Sequence, residues 1–150
     1  MQKIAANKKA NHNFNINEKF EAGLVLTGAE VKSLRVNTGS IKESYIIEKK
    51  GELWLTNCYI KKYSSSIDKT YNATKERKIL VKQKELNKII GSLKKGGMTA
   101  IPLLMYFNDQ GLAKLSIGLG KGMKKFDKRD KIKTKEWVIK KQRLEKNKEI

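Results

Sequence analysis

The feature that most constrains this chain is where its apolar residues alternate with polar ones, and where that alternation stops. Leu115, Ile117 and Leu119 alternate with Lys114, Ser116 and Gly118; Phe14 and Ile16, then Phe20, Ala22, Leu24 and Leu26, do the same near the start. A period of two places every second side chain on one face of a sheet, so these runs read as strands with one buried face. Ser44–Ile47 and Leu53–Ile60 flank Lys50-Gly51 and predict a hairpin; Ile101–Phe107 and Leu112–Leu119 flank Asn108–Gly111 and predict a second. Pro102 has no amide hydrogen for a ladder, which places the start of its strand at an edge.

Two segments have helical signals instead. Thr27-Gly-Ala-Glu30 has capping-box spacing, with Leu26 and Val31 placed as a hydrophobic staple, and predicts a helix to about Thr38 with Gly39 as its stop. Leu86, Ile89, Ile90 and Leu93 share a helical face, and Gly96-Gly97 ends it. Short antiparallel strands with two or three small peripheral helices add up to a mainly β, compact barrel over residues 1–120, an architecture that often presents a nucleic-acid surface.

The pattern stops at about residue 120. Lys121–Ile150 carries a local net charge of +8, and Met123, Phe126, Ile132, Trp137, Val138, Ile139, Leu144 and Ile150 form no continuous stripe. Burial there cannot offset an ordering cost of about 1–2 kcal/mol per residue. Helix formers nevertheless dominate, and Glu136 precedes Lys140 by one turn. Residues 121–150 therefore read as a separate basic tail, disordered when free and helical when laid on RNA.

The whole chain repeats that charge bias: 34 basic residues oppose 15 acidic ones over 150 residues, a net +19. Self-repulsion of this size destabilises a compact state and usually serves a polyanionic partner. Thirty of the cations are lysine, which base composition could explain, but that does not account for the scarcity of Asp and Glu. Cys58, the single cysteine, permits no intramolecular disulfide and reads as a buried thiol. Met1–Asn17 lacks the apolar core of a signal peptide, and no stretch approaches the ~18 apolar residues of a spanning helix. A cytoplasmic protein with no membrane partner is expected.

Enzyme constellations fail one by one. His12, the sole histidine, has no second ligand at metal-binding spacing. Gly91–Gly96 starts like a phosphate loop, but Gly97-Met98 stands where Lys and Ser/Thr are needed. Gly118, Gly120 and Gly122 alternate without leading into a helix, and Asp127 and Asp130 read as charge balance among lysines. No catalysis, cofactor or metal is expected. RNA binding gathers support instead. Lys75, Arg77, Lys78, Lys82 and Lys84 crowd one segment, and Tyr71 or Phe126 could stack on unpaired bases. A ribosomal protein held permanently by rRNA, and a small RNA-modifying enzyme, are the competing readings.

Several motifs in order resemble the small protein B family, the tmRNA-binding proteins of trans-translation. They are Asn7-Lys-Lys-Ala-Asn-His12, Phe20-Glu-Ala-Gly23, Gly28-Ala-Glu-Val-Lys-Ser-Leu-Arg35, Ser44-Tyr45, Tyr71-Asn-Ala-Thr-Lys-Glu-Arg-Lys78, Lys121-Gly-Met-Lys-Lys-Phe-Asp-Lys-Arg129 and Lys135-Glu-Trp137. The resemblance implies an OB-like antiparallel barrel that grips the tRNA-like domain of tmRNA. It also implies delivery of alanyl-tmRNA to stalled ribosomes, with elongation factor Tu involved indirectly. Glu21 and Leu80 match core positions implicated in RNA binding, with Asn72, Arg77, Lys78 and Lys82 beside them. In the tail, Lys124, Lys125, Asp127, Lys128, Arg129, Ile132 and Trp137 match the segment that enters the empty decoding site and mRNA channel. Ala73, Lys82 and Phe126 depart from the residues that relatives often carry there, a proline, an asparagine and a histidine.

Overall fold

The computed structural model describes residues 1–36, 39–64 and 69–122. In chain order these form β1 (Gln2–Ala6), α1 (Ala10–Asn13), β2 (Phe14–Leu24), α2 (Gly28–Val36), β3 (Tyr45–Lys49), β4 (Glu52–Thr56), β5 (Arg77–Leu80), α3 (Gln83–Lys94), β6 (Thr99–Phe107) and β7 (Ala113–Gly122). All strands join one antiparallel sheet in the order β1-β6-β7-β2-β5-β4-β3. β3 also comes against β6 without a ladder between them, so the sheet curls into a partly open, OB-like barrel.

Local chemistry explains most elements. Both halves of the capping box form: the Glu30 amide donates to Thr27 Oγ1 at 3.2 Å, and the Thr27 amide donates to Glu30 Oε1 at 3.0 Å. Leu26 and Val31 both pack on the core. The expected end of α2 near Thr38 lies outside the described residues. Lys50 (φ 55°) and Gly51 (φ 77°) supply the two left-handed positions of a tight hairpin turn between β3 and β4. Asn108 builds the other hairpin, its side chain accepting from the amides of Gln110 and Leu112 at 3.0 and 2.9 Å. α3 buries Ile89 and half-buries Leu86, Ile90 and Leu93, and stops where Gly96 and Gly97 turn left-handed at φ 79° and 75°.

Two expectations change. The strand expected over Leu53–Ile60 ends at Thr56, because Asn57 turns left-handed (φ 60°); Tyr59 instead makes an isolated bridge to Ser40. Pro102 is not at a sheet edge, since β6 lies between β1 and β7. It is tolerated because the β1 ladder reaches only Leu104 and the β6–β7 register shifts between Pro102 and Leu104. The alternating glycines of β7 are packing devices. A Cβ on Gly120 would lie 2.3 Å from the Asn15 carbonyl oxygen, where β2 bulges between Ile16 and Glu18.

The core lies inside the curl. Leu53, Leu55, Ile60, Ile79, Met105, Leu115 and Ile117 are fully or nearly fully buried there. Parity then sets the outer face. β5 turns Arg77 and Ile79 inward and Lys78 and Leu80 outward; β6 buries Met105 and Phe107 and turns Tyr106 out.

Candidate nucleic-acid interface

On the outer face the registers line up one residue from each of four strands. Tyr106 pairs with Lys114, Lys114 with Gly23, and Gly23 with Leu80, across β6, β7, β2 and β5. Glu21, one pleat along β2, reaches back over β7 to accept a hydrogen bond from the Tyr106 hydroxyl. The result is a groove lined by Glu21, Gly23, Leu80, Val81, Lys82, Glu85, Asn108 and Lys114. Its floor is bare backbone at Gly23, and its wall is the start of α3, where Lys82 occupies the N-cap.

The groove combines three chemistries that an RNA-binding surface uses. Leu80 is 50% exposed although it sits mid-sheet, an apolar plate open to solvent. Lys82 and Lys114 make no ion pair among the described residues, so their charge is available to phosphate. Glu21 supplies an acceptor for a base or ribose donor. Lys78 follows Leu80 outward on the same face, where it pairs with Glu52 at 3.0 Å. Beside it Trp54, its cross-strand partner, carries Lys49 over its ring at 5.4 Å.

Thus three residues singled out from the sequence, Glu21, Leu80 and Lys82, converge in one groove. Lys78 flanks it. Asn72 stands apart in the loop before β5, its Oδ1 accepting from the Thr74 amide at 3.1 Å and the Thr74 hydroxyl at 3.2 Å. Arg77 requires correction as a phosphate contact, because its side chain points into the barrel and is 2% exposed. Its guanidinium donates to Glu30 Oε2 (2.6 Å), to the carbonyls of Cys58 (2.5 Å), Ala73 (3.1 Å) and Lys75 (3.2 Å), and to the Tyr71 hydroxyl (3.3 Å). Tyr71 in turn donates to the Ile60 carbonyl at 2.7 Å, which ties down the ring expected to stack on bases.

This buried cluster sets its own electrostatics. Burial opposes charging Glu30, but the Thr27 amide, the Arg77 charge and hydrogen bond, and Lys75 at 3.5 Å together hold its carboxyl below the usual value. Burial, above all, pushes the Cys58 thiol up to about 11, consistent with an inert structural cysteine. Among the described residues no group of three or more His, Cys, Asp or Glu is arranged to hold a metal ion, and no helix is long and apolar enough to cross a membrane. Residues Lys124, Lys125, Asp127, Lys128, Arg129, Ile132 and Trp137, with Phe126, lie outside the described residues.

Sequence reasoning missed Tyr106, Lys114, Glu85 and Asn108. Parity alone turns Tyr106 and Lys114 outward, but only the register of β6, β7 and β2 brings them to Glu21.

The curled antiparallel sheet places the chain among OB-like β-barrel proteins. Comparison with known proteins narrows the class. The family described as "SmpB protein" matches residues 4–147. The SsrA-binding protein of Wolbachia pipientis subsp. Culex pipiens (strain wPip) is 48% identical over 147 residues, covering 98% of this chain and 99% of the relative. That of Ehrlichia ruminantium (strain Gardel) is 46% identical over 144 residues, covering 96% and 97%. A solved chain described as "tmRNA-SmpB: a journey to the center of the bacterial ribosome" superposes with a TM-score of 0.65 at 35% identity, covering 85% of this chain and 92% of its own. The chain belongs to the SmpB protein family.

Proposed function

We propose that this protein is an RNA-binding adaptor of trans-translation, without chemistry of its own, working in the cytoplasm. Its barrel holds the tRNA-like domain of tmRNA through the groove of Glu21, Leu80 and Lys82, with Lys78 alongside. The observation that carries this reading is their convergence on one solvent-facing surface, in a chain whose relatives are named for binding SsrA. Asn72 acts at one remove, by shaping the loop that leads into β5. The tail enters the vacant decoding site and mRNA channel of a stalled ribosome through Lys124, Lys125, Asp127, Lys128, Arg129, Ile132 and Trp137. Elongation factor Tu meets the assembly only through alanyl-tmRNA.

Sequencing the RNA that co-purifies with the tagged protein tests this directly. One abundant small RNA with a tRNA-like end is expected, together with release of the protein from ribosomes in high salt, since contacts made by lysine to phosphate weaken steeply as salt rises. Recovery of ribosomal RNA alone, resistant to high salt, would instead make this a resident ribosomal protein.

A further inference from the structure

We infer that Tyr106 is a positioning residue for RNA binding: its hydroxyl holds the Glu21 carboxylate over β7 so that the other carboxylate oxygen meets a single hydrogen-bond donor of the bound RNA. The inference rests on the groove being the RNA-binding surface, and it adds a residue with no place in the sequence motifs.

Glu21 is exposed, on the outward side of β2, and an exposed glutamate samples many rotamers. Tyr106 removes that freedom. It stands two strands away, half-buried by its neighbours, and the Tyr106–Lys114–Gly23 register aims its hydroxyl diagonally at Glu21 Oε1. Among the described residues no other side chain donates to that carboxylate, so Oε2 remains for a ligand. The donor role is secure over the working pH range. Burial, then the hydrogen bond and charge of Glu21, push the Tyr106 hydroxyl up to about 12, so it keeps its proton.

The surroundings make sense of a carboxylate in a basic protein. A free glutamate beside RNA would repel phosphate. Here Lys114 lies between Tyr106 and Gly23 in the row, and Lys82 lines the same groove beside Glu85, so two cations share the groove with two carboxylates. Phosphate is drawn to the lysines, and the fixed carboxylate accepts from whichever base or sugar group then faces it. Fixing the acceptor in advance removes an ordering cost that would otherwise fall on binding.

A double-mutant cycle tests this, with Tyr106→Phe and Glu21→Ala measured by binding of in vitro transcribed tmRNA and by thermal melting. Tyr106→Phe should weaken binding about five-fold, the scale of one hydrogen bond whose acceptor is no longer held. It should weaken binding no further in the Glu21→Ala background, with melting unchanged throughout. Equal losses in both backgrounds would mean that Tyr106 touches RNA itself or only supports the fold, and would overturn the inference. A Glu21→Ala loss with no Tyr106→Phe loss would also overturn it, while leaving the groove as the RNA surface. No effect of Glu21→Ala would remove Glu21 from the RNA surface, and the positioning role with it.

Discussion

Replacing Arg77 with alanine separates a buried structural cation from an RNA contact. The substitution deletes every hydrogen bond of the guanidinium and leaves Glu30, 1% exposed, inside the barrel. Removing one member of a buried ion pair costs about 3–5 kcal/mol. Two features of this site adjust that figure. Lys75 at 3.5 Å and the Thr27 amide at 3.0 Å still face Glu30, which lowers the cost. The carbonyls of Cys58 and Lys75 lose their donor, which raises it, while that of Ala73 keeps the Ile60 amide at 3.0 Å. About 4 kcal/mol is expected, a large share of the ~5–15 kcal/mol that holds a domain together. At roughly 2–4 °C per kcal/mol, the melting temperature should fall by 10 °C or so, read by circular dichroism alongside urea unfolding. Arg77→Lys should recover only part, because an ammonium cannot reach five acceptors spread around a planar fork. A loss below about 0.5 kcal/mol, the scale of an ordinary surface substitution, combined with weakened tmRNA binding, would refute the reasoning and return Arg77 to the interface.

Other consequences follow from the same geometry. Because the Glu30 carboxyl is held below its ordinary value of 4.5, its contribution to stability is present above that pH and lost as the pH falls through the depressed value. The stability gap between wild type and Glu30→Gln should therefore narrow on acidification; a constant gap would show that the pair does not titrate with folding. Alkylation of Cys58 at pH 8 should proceed only at the rate of unfolding, given a fully buried thiol raised to about 11, and rapid labelling under native conditions would contradict its placement. Gly23→Leu should fold, since a Cβ there meets Leu80 Cβ at 3.7 Å and nothing closer, yet its side chain would fill the groove floor and lower tmRNA affinity tenfold or so, the scale of a lost contact of about 1.4 kcal/mol; unchanged affinity would place RNA elsewhere. Truncation after Gly122 keeps all of β7, so it should barely change the melting temperature and only modestly weaken tmRNA binding, while abolishing tagging in a reconstituted translation system; normal tagging would end the assignment of a ribosomal role to the tail.

What could be read from the sequence was local. The capping box of α2, the helical face of α3 and both hairpin turns each depend on residues within a few positions of one another, so their chemistry is visible in the chain. β1 was not legible: Gln2–Ala6 holds one strongly apolar residue, Ile4, and becomes a strand because β6 offers an edge. Arg77 misled because a cation among lysines resembles a solvated charge run. The parity it shares with Ile79 was the available clue, and its partner Glu30 lies 47 residues away. Tyr106 was out of reach for the same reason, its bond to Glu21 spanning 85 residues. Glu21, Leu80 and Lys82 were singled out through a family resemblance; the register brings Glu21 and Leu80 to one face, and the α3 N-cap adds Lys82.

The long pair of β2 and β7 carries the groove at one end and the end of β7 at the other. Gly23 faces Lys114 within the groove row; Phe14 faces Gly122, the last described residue. From Lys114 to Gly122 the strand advances about 26 Å at roughly 3.3 Å per residue. The β2 bulge between Ile16 and Glu18 absorbs its one extra residue, and Gly120 lets the two backbones close over it. The pair behaves as a rod of fixed length, cut by the fold. The groove row and residue 122 are thereby kept a set distance apart, so anything held at the groove would lie that far from the point where β7 ends.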